Sequence, residues 1–284
     1  MISERAIDLI DIIIPIVSVE QETWEMILRL FRVRRICAST NQILSGRSVK
    51  MFRVRDLVRE IFISSEEESV VTEISRIDGV FRRSVAEASA ETAFIDPETS
   101  AVTVLELMDQ LSLECVPVAR RDVVIGVVSE ESVLEELKKY MSLESEVSQI
   151  ATRDVDTVDS EAPLEEVIGL MLQKGFRRIP VQDSEKRVLG LVTLLDVVAE
   201  IAEQYRVSGE LRTLDMMSRP VSQMRYLREP VFVGSEKSVR EVVDIMLRSG
   251  TGCVLLGSRE KIEGIATERD VIRYLRREIA RIIE

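Results

Sequence analysis

The sequence predicts an α+β protein built from four copies of one β-α-β-β-α unit, arranged as two tandem pairs. Two observations predict it. A strand, an amphipathic helix and a second strand recur in the second half of the chain, and each copy ends in a short strand that runs into a second helix. Weaker versions of the same ending occur in the first half, and such a recurrence indicates repeats of one structural unit.

Matching apolar stripes predict the first helix of the third and fourth copies. The stripes are Leu164, Val167, Ile168, Met171 and Leu172, and Val239, Val242, Val243, Met246 and Leu247. Their spacing of i, i+3, i+4, i+7 and i+8 is that of one buried helix face. Gly175 and Gly250 follow the stripes, where a glycine in the left-handed conformation commonly ends a helix.

The second helix of the third and fourth copies begins near a hydroxyl that stands three residues before a carboxylate, and the first half carries weaker versions of this motif. The two complete pairs are Thr193 with Asp196 and Thr267 with Asp270, and the first half has Arg53 with Asp56 and Ser129 with Ser132. Positions 53, 129, 193 and 267 lie 76, 64 and 74 residues apart. This spacing predicts repeats over residues 1–63, 70–140, 146–206 and 211–284.

Composition argues against several classes of function. The net charge of −12 and the pI near 4.9 argue against nucleic acid and anionic membranes as partners, because both require a basic surface. The chain has no histidine and only three scattered cysteines, so we expect no metal site. The apolar run over residues 7–19 contains two aspartates and a proline and is too short to span a bilayer.

The three cysteines indicate a reducing, cytoplasmic location. They are an odd number, far apart, in a chain too large to depend on disulfides: Cys37, Cys115 and Cys253. Cys115 and Cys253 precede the second strand of their repeats at matching places. We interpret them as small packing residues and not as redox groups.

The order of these features resembles one known family. A lead-in segment from Val147, a helix, the strand R-R-I-P-V and a turn of the form G-h-h-T-x-x-D, where h is apolar, are similar to the CBS domain. The resemblance is closest for repeats three and four and weakest for repeat one. It implies two tandem CBS pairs in a disk-like, pseudo-symmetric arrangement with clefts between repeats, as in the γ subunit of AMP-activated protein kinase and its stand-alone archaeal relatives.

The Thr and Asp of each complete motif suit a nucleotide. A carboxylate at a helix start can accept from the paired hydroxyls of a ribose, and a helix N-terminus can hold a phosphate. The resemblance implies AMP, ADP or ATP as ligand, bound mainly by the C-terminal pair. The predicted nucleotide-binding residues are Thr157, Val158, Phe176, Arg177, Arg178, Ile179, Pro180, Thr193, Asp196, Thr251, Gly252, Cys253, Thr267, Arg269 and Asp270.

Simpler interpretations stay open for the same residues. Thr and Asp at these positions can simply cap the second helix, and the arginines can pair with neighbouring glutamates. In the first pair we interpret Arg34 and Arg35 as the counterparts of the R-R pair in repeat three, which predicts a weaker site with Asp56. Ser132 replaces the carboxylate of repeat two, so we expect its site to be empty or altered.

The sequence contains no catalytic motif that we can identify, so we expect no catalytic residues, no cofactor and no enzymatic activity. The leading hypothesis is a regulatory module that binds an adenine nucleotide and biases contacts with a regulated protein partner. Alternatives are an interaction or oligomerisation scaffold without a small-molecule ligand, and a sensor of another adenosine derivative such as S-adenosylmethionine. Assembly into a homodimer stays open.

Overall fold

The computed structural model describes residues 4–44, 47–62, 78–121, 123–140, 143–208 and 216–283. The helices are α1 (Thr23–Val33), α2 (Val54–Phe62), α3 (Ala101–Gln110), α4 (Glu130–Leu137), α5 (Leu164–Lys174), α6 (Leu194–Ser208), α7 (Val239–Ser249) and α8 (Glu268–Ile283). The strands are β1 (Ile16–Val17), β2 (Cys37–Leu44), β3 (Ser48–Arg53), β4 (Ala90–Ala93), β5 (Cys115–Arg120), β6 (Val123–Ser129), β7 (Val158–Asp159), β8 (Arg178–Gln182), β9 (Val188–Thr193), β10 (Phe232–Val233), β11 (Cys253–Gly257) and β12 (Ile262–Thr267).

Each repeat has the predicted β-α-β-β-α order. In repeat three, β7 pairs parallel with β8, and β8 pairs antiparallel with β9, with α5 between β7 and β8 and α6 after β9. Repeats one and four repeat this topology. In repeat two the first strand is reduced to a single parallel bridge between Ile95 and Val118. The predicted fold class is confirmed, while the predicted boundaries at residues 63, 70 and 211 lie outside the described residues.

The ends of the first helices confirm the predicted glycine caps. Gly175 and Gly250 end α5 and α7 with φ of 74° and 60°. The same position is held by Arg34 in repeat one, with φ of 54°, and by Ser112 in repeat two, with φ of 51°. Because all four repeats place a left-handed residue here, the chain leaves each helix in the same direction before its second strand.

The strand register corrects the interpretation of Arg34 and Arg35. Arg178 pairs with Thr193 across β8 and β9, and Cys37 pairs with Arg53 across β2 and β3. The counterpart of Arg178 in repeat one is therefore Cys37. Arg34 instead occupies the capping position of Gly175, so the predicted correspondence with the R-R pair is wrong.

The two pairs pack through their helices. One buried cluster combines residues of repeats one and three, such as Met26, Leu30 and Val198, and a second combines residues of repeats two and four, such as Val104 and Leu275. Helix α1 packs against α6, and α8 packs against α3 and α4. Among the described helices, none combines the length and the apolar character needed to cross a membrane.

The cysteines depart from the prediction. Cys37 and Cys115 form a disulfide between β2 of repeat one and β5 of repeat two, 78 residues apart in sequence. Treating Cys115 as a packing residue alone was wrong, because the fold of the first pair brings its two second strands together. Cys253 is a free, buried thiol, and burial raises its pKa to about 11.

Candidate functional site

Each cleft is built from two repeats of a pair. The lead-in segment of one repeat hydrogen-bonds to the last strand of its partner, two residues before the partner's hydroxyl position. These backbone contacts join Thr152 to Ile265, Arg228 to Leu191 and Asp11 to Val127. Thr152, Arg228 and Asp11 are therefore corresponding residues, and each lies beside the start of its partner's second helix.

The cleft between the lead-in of repeat three and the start of α8 is open. It encloses a cavity of about 430 Å³ and is called the Asp270 cleft below. Its predicted lining residues are Phe176, Arg177, Arg178, Pro180, Thr267, Arg269 and Asp270, and Arg55, Ser112, Thr152, Asp154, Val155, Asp156, Lys174, Gly175, Ile265 and Arg273 complete it. Seven of the fifteen predicted nucleotide-binding residues of the C-terminal pair thus share one cavity.

The Asp270 carboxylate is held by its own motif on one side. Its Oδ2 accepts from the backbone N–H and the hydroxyl of Thr267 at 2.9 and 2.7 Å. Its Oδ1 lies 3.8 Å from Arg273, and 13% of the side chain is exposed. The capping interpretation is therefore correct for this residue. It leaves one carboxylate oxygen without a close partner among the described residues, so capping and ligand binding are compatible here.

The lining of the Asp270 cleft is positive in an acidic protein. It includes six cationic side chains, namely Arg55, Lys174, Arg177, Arg178, Arg269 and Arg273, against the three carboxylates of Asp154, Asp156 and Asp270. The chain as a whole carries a net charge of −12. A local excess of guanidinium groups in a concave site favours a phosphate-bearing ligand.

One wall of the cleft is an ion-pair network that joins the first pair of repeats to the second. Arg177 lies 2.6 Å from Glu130 and 3.7 Å from Glu114, and Arg269 lies 3.2 Å from Glu130. Arg55 of repeat one lies 2.7 Å from Glu114. The interpretation that arginines pair with glutamates is therefore also correct, but both carboxylates come from repeat two and not from the repeats of the arginines.

Burial and pairing act in opposite directions on this network. Burial lowers the pKa of Arg177, but the carboxylates of Glu130 and Glu114 outweigh it and raise that pKa. Burial raises the pKa of Glu130, but Arg177 and Arg269 outweigh it and lower that pKa. Within the described residues, the Nη1 of Arg177 is buried and has no hydrogen-bond partner. The charges are mutually stabilised, and two described donors at the cleft wall, the Nη1 of Arg177 and the Nε of Arg55, are left unsatisfied.

The other predicted residues lie outside this cleft. Val158, Ile179 and Cys253 are buried. Thr157 donates to the Gln182 side chain at 2.9 Å on a neighbouring surface. Thr251 and Gly252 lie elsewhere in the centre of the molecule. They line separate pockets, and Gly252 contacts the ion pair of Arg178 with Glu268.

The Asp196 cleft, formed by the start of α6 and the lead-in of repeat four, is occupied by the protein itself. Asp196 is 0% exposed. Its Oδ2 accepts from the Thr193 hydroxyl at 2.7 Å, and the Nε of Arg228 donates to both carboxylate oxygens at 2.8 and 2.7 Å. The sequence treats the two Thr and Asp motifs as equivalent, but among the described residues a lead-in arginine hydrogen-bonds to Asp196, whereas the cation nearest to Asp270 is Arg273 at 3.8 Å.

The first pair also satisfies its own motif positions. Asp11 replaces the missing carboxylate of repeat two, since it accepts from Ser129 and Arg35, each at 2.7 Å. In repeat one, Arg53 lies 3.4 Å from Asp56. Arg34 donates to the Ser249 carbonyl. Arg34, Arg35 and Asp56 are thus engaged in separate internal contacts and do not form the single weaker site that the sequence predicted.

Sequence reasoning missed Arg228, Asp11, Glu114 and Glu130. Glu114 and Glu130 could have been found by aligning the four repeats. Glu114 then falls at the position of Arg177, a predicted site residue, and Glu130 falls at the position of Glu268, next to Thr267. Arg228 and Asp11 lie in lead-in segments that carry no motif. Their contacts depend on how the repeats of a pair are placed together.

Repeated β-α-β-β-α units, paired so that each cleft combines two repeats, define a class of tandem-repeat binding proteins. A family model for the CBS domain matches residues 85–139, 147–203 and 215–277, more than half of the chain. The chain therefore belongs to the CBS-domain family, and the resemblance seen in the sequence is confirmed. Repeat one has the same topology, although its sequence resemblance is the weakest.

Two archaeal proteins are similar to this chain in sequence, and one of them also in structure. A 33.4 kDa protein encoded in the ribosomal RNA operon of Thermofilum pendens is 27% identical over 80% of this chain and 76% of its own length. Protein MJ1225 of Methanocaldococcus jannaschii is 26% identical over 53% of this chain and 54% of its own length. The crystal structure of MJ1225 has a TM-score of 0.78 and 17% identity, and covers 95% of this chain and 99% of that one.

Proposed function

We propose that this chain is a non-catalytic regulatory protein that senses AMP, ADP or ATP in the Asp270 cleft. The observation that carries the proposal is an open cavity with an available carboxylate oxygen at a helix start and six cationic side chains, in a protein of net charge −12. The crystal structure of MJ1225 is described as that of a proposed archaeal homologue of γ-AMPK, which supports a role in nucleotide sensing and energy regulation.

Each part of the cleft has a matching part of a nucleotide. The Asp270 carboxylate suits the ribose hydroxyls, and the guanidinium groups of Arg177 and Arg269 suit the phosphate. Phe176, Pro180 and Ile265 offer apolar surface to the base. Such a ligand regulates a protein partner, or a homodimer, only if its affinity differs between two conformations.

We assign this regulatory role to the cytoplasm, where adenine nucleotides report energy state. The Cys37–Cys115 disulfide requires a cytoplasm in which intracellular disulfides persist. Thiols are kept reduced in most cytoplasms, whereas intracellular proteins of hyperthermophilic archaea and bacteria are commonly rich in disulfides.

Thermal unfolding with AMP, ADP, ATP and S-adenosylmethionine tests the proposal. A ligand at 100 times its Kd stabilises the folded state by about 2.7 kcal/mol. We expect this shift with an adenine nucleotide, its loss in Asp270→Asn, and its retention in the matched control Asp244→Asn, whose carboxylate pairs with Lys138 outside the cleft. A shift with S-adenosylmethionine alone would support the alternative sensor.

The scaffold alternative is favoured by one observation. Arg177 and Arg269 at the cleft wall already pair with Glu114 and Glu130 across the boundary between the two CBS pairs, which is what an assembly without a ligand would need. Absence of a shift with every nucleotide would favour this function. An unchanged shift in Asp270→Asn would show that the nucleotide binds elsewhere.

A further inference from the structure

The two clefts of the C-terminal pair differ at one corresponding position. Both have a threonine and an aspartate at the helix start, and both receive a lead-in residue whose backbone pairs two residues before that threonine. That residue is Thr152 in the Asp270 cleft and Arg228 in the Asp196 cleft. A short neutral residue therefore holds this position in the Asp270 cleft, where the nearest cation, Arg273, lies 3.8 Å from Oδ1, whereas Arg228 hydrogen-bonds directly to Asp196.

Arg228 uses the carboxylate that a ribose would need. Its guanidinium binds Asp196 through Nε and Nη2, and the Thr193 hydroxyl donates a further hydrogen bond to Oδ2. Asp196 is 0% exposed, whereas 18% of the Arg228 side chain is exposed. A neutral ribose hydroxyl cannot replace a buried, bidentate guanidinium without leaving both charges unpaired.

A cavity large enough for a small-molecule ligand lies in front of this ion pair. A cavity of about 660 Å³ lies beside Asp196 and is lined by Phe31, Tyr226 and Thr251 among others. Shortening Arg228 would join the carboxylate to a cavity that already exists. The Asp196 cleft is thus closed at its carboxylate and not along its whole length.

We infer that Arg228 is an internal plug of the Asp196 cleft, so that the C-terminal pair binds one nucleotide and not two. The residue at the position of Thr152 and Arg228 decides which cleft is open. This inference rests on the proposed function for its nucleotide, but the plug itself is a contact within the protein. It replaces the expectation that Thr193 and Asp196 form a second site equivalent to that of Thr267 and Asp270.

Titration calorimetry of the full chain with AMP measures the number of sites. We expect one site in the wild type and two in Arg228→Thr. We expect none in the C-terminal pair of Thr152→Arg, and one in the double variant that carries both Thr152→Arg and Arg228→Thr. The new site should disappear on adding Asp196→Asn and persist on adding Asp270→Asn. Two sites in the wild type, or no gain of a site in Arg228→Thr, would overturn the inference.

A second measurement does not depend on nucleotide binding. In Arg228→Ala, methylguanidinium should rebind at Asp196 and raise the unfolding temperature, because it restores the missing cation. It should not raise that temperature in the wild type or in Arg228→Ala with Asp196→Asn, the matched variant without a buried charge. If methylguanidinium stabilises only Arg228→Ala but no variant binds AMP, the plug stands and the proposed function fails. If it gives Arg228→Ala no specific stabilisation, the plug is refuted.

Discussion

Glu131 offers a direct test of the electrostatics at the centre of the molecule. Burial raises the pKa of Glu131 to about 7, although Arg35 opposes the change at a distance of 2.6 Å. Arg35 is shared with the buried Asp11, and Glu268 and Asp11 add repulsion. Arg35 therefore pairs with two carboxylates, and Glu131 is mostly protonated below about pH 7.

The sign of the pH dependence follows from this raised pKa. The folded state binds a proton at Glu131 more tightly than the unfolded state does, so this contribution to stability is complete below about pH 4.5 and is lost as the pH rises through 7. A rise from 4.5 to about 7 corresponds to roughly 3.4 kcal/mol at 1.36 kcal/mol per pH unit. Because 23% of the side chain is exposed and solvent screens its charge, we expect about 1–2 kcal/mol.

The test is Glu131→Gln, measured by urea unfolding at pH 4.5, 6 and 8. We expect the variant to be more stable than the wild type by about 1–2 kcal/mol at pH 8 and equal to it at pH 4.5. Glu165→Gln, an exposed glutamate at the second position of α5, is the control and should show no such trend. A Glu131→Gln variant that is less stable at pH 8, or whose difference from the wild type does not change with pH, would refute the reasoning.

Two further predictions concern contacts between repeats. Arg177→Met should lower the free energy of unfolding by about 1.5–3 kcal/mol, since it removes a charged hydrogen bond to the buried Glu130, which keeps Arg269 as its remaining cation. Adding Glu130→Gln should recover part of that loss in urea unfolding. Reducing the Cys37–Cys115 disulfide, which closes a loop of 78 residues, should lower stability by up to about 4.5 kcal/mol. A Cys37→Ser, Cys115→Ser variant should not respond to reductant, and a response in that variant would contradict the second prediction.

Much of the fold was predictable from the sequence because its signals are local. The helix period of the apolar stripes depends on residues within three turns, and the glycine caps Gly175 and Gly250 depend on the backbone freedom of single residues. The Thr and Asp motif was likewise readable at a spacing of three residues. The recurrence of these signals in repeats three and four, with weaker motif positions at residues 53 and 129, was enough to predict four repeats in two pairs.

The state of each cleft was not predictable in the same way. Thr193 with Asp196 and Thr267 with Asp270 are the same local motif, yet one carboxylate is closed by Arg228 and the other faces a cavity. Arg228 is 32 residues from Asp196 and belongs to the other repeat of the pair. Charge pairing depends on distance in space, and the packing of repeats brings residues together that no sequence period relates.

The same reason accounts for the remaining differences. The sequence by itself determined the repeat, its helices and strands, and the residue types available for a phosphate-bearing ligand. Only the tertiary structure decided that Cys37 meets Cys115, that Asp11 serves Ser129, and that Glu130 holds Arg177 from 47 residues away. Local backbone preferences act within a few residues, whereas disulfides, buried ion pairs and clefts form where separate repeats are packed against one another.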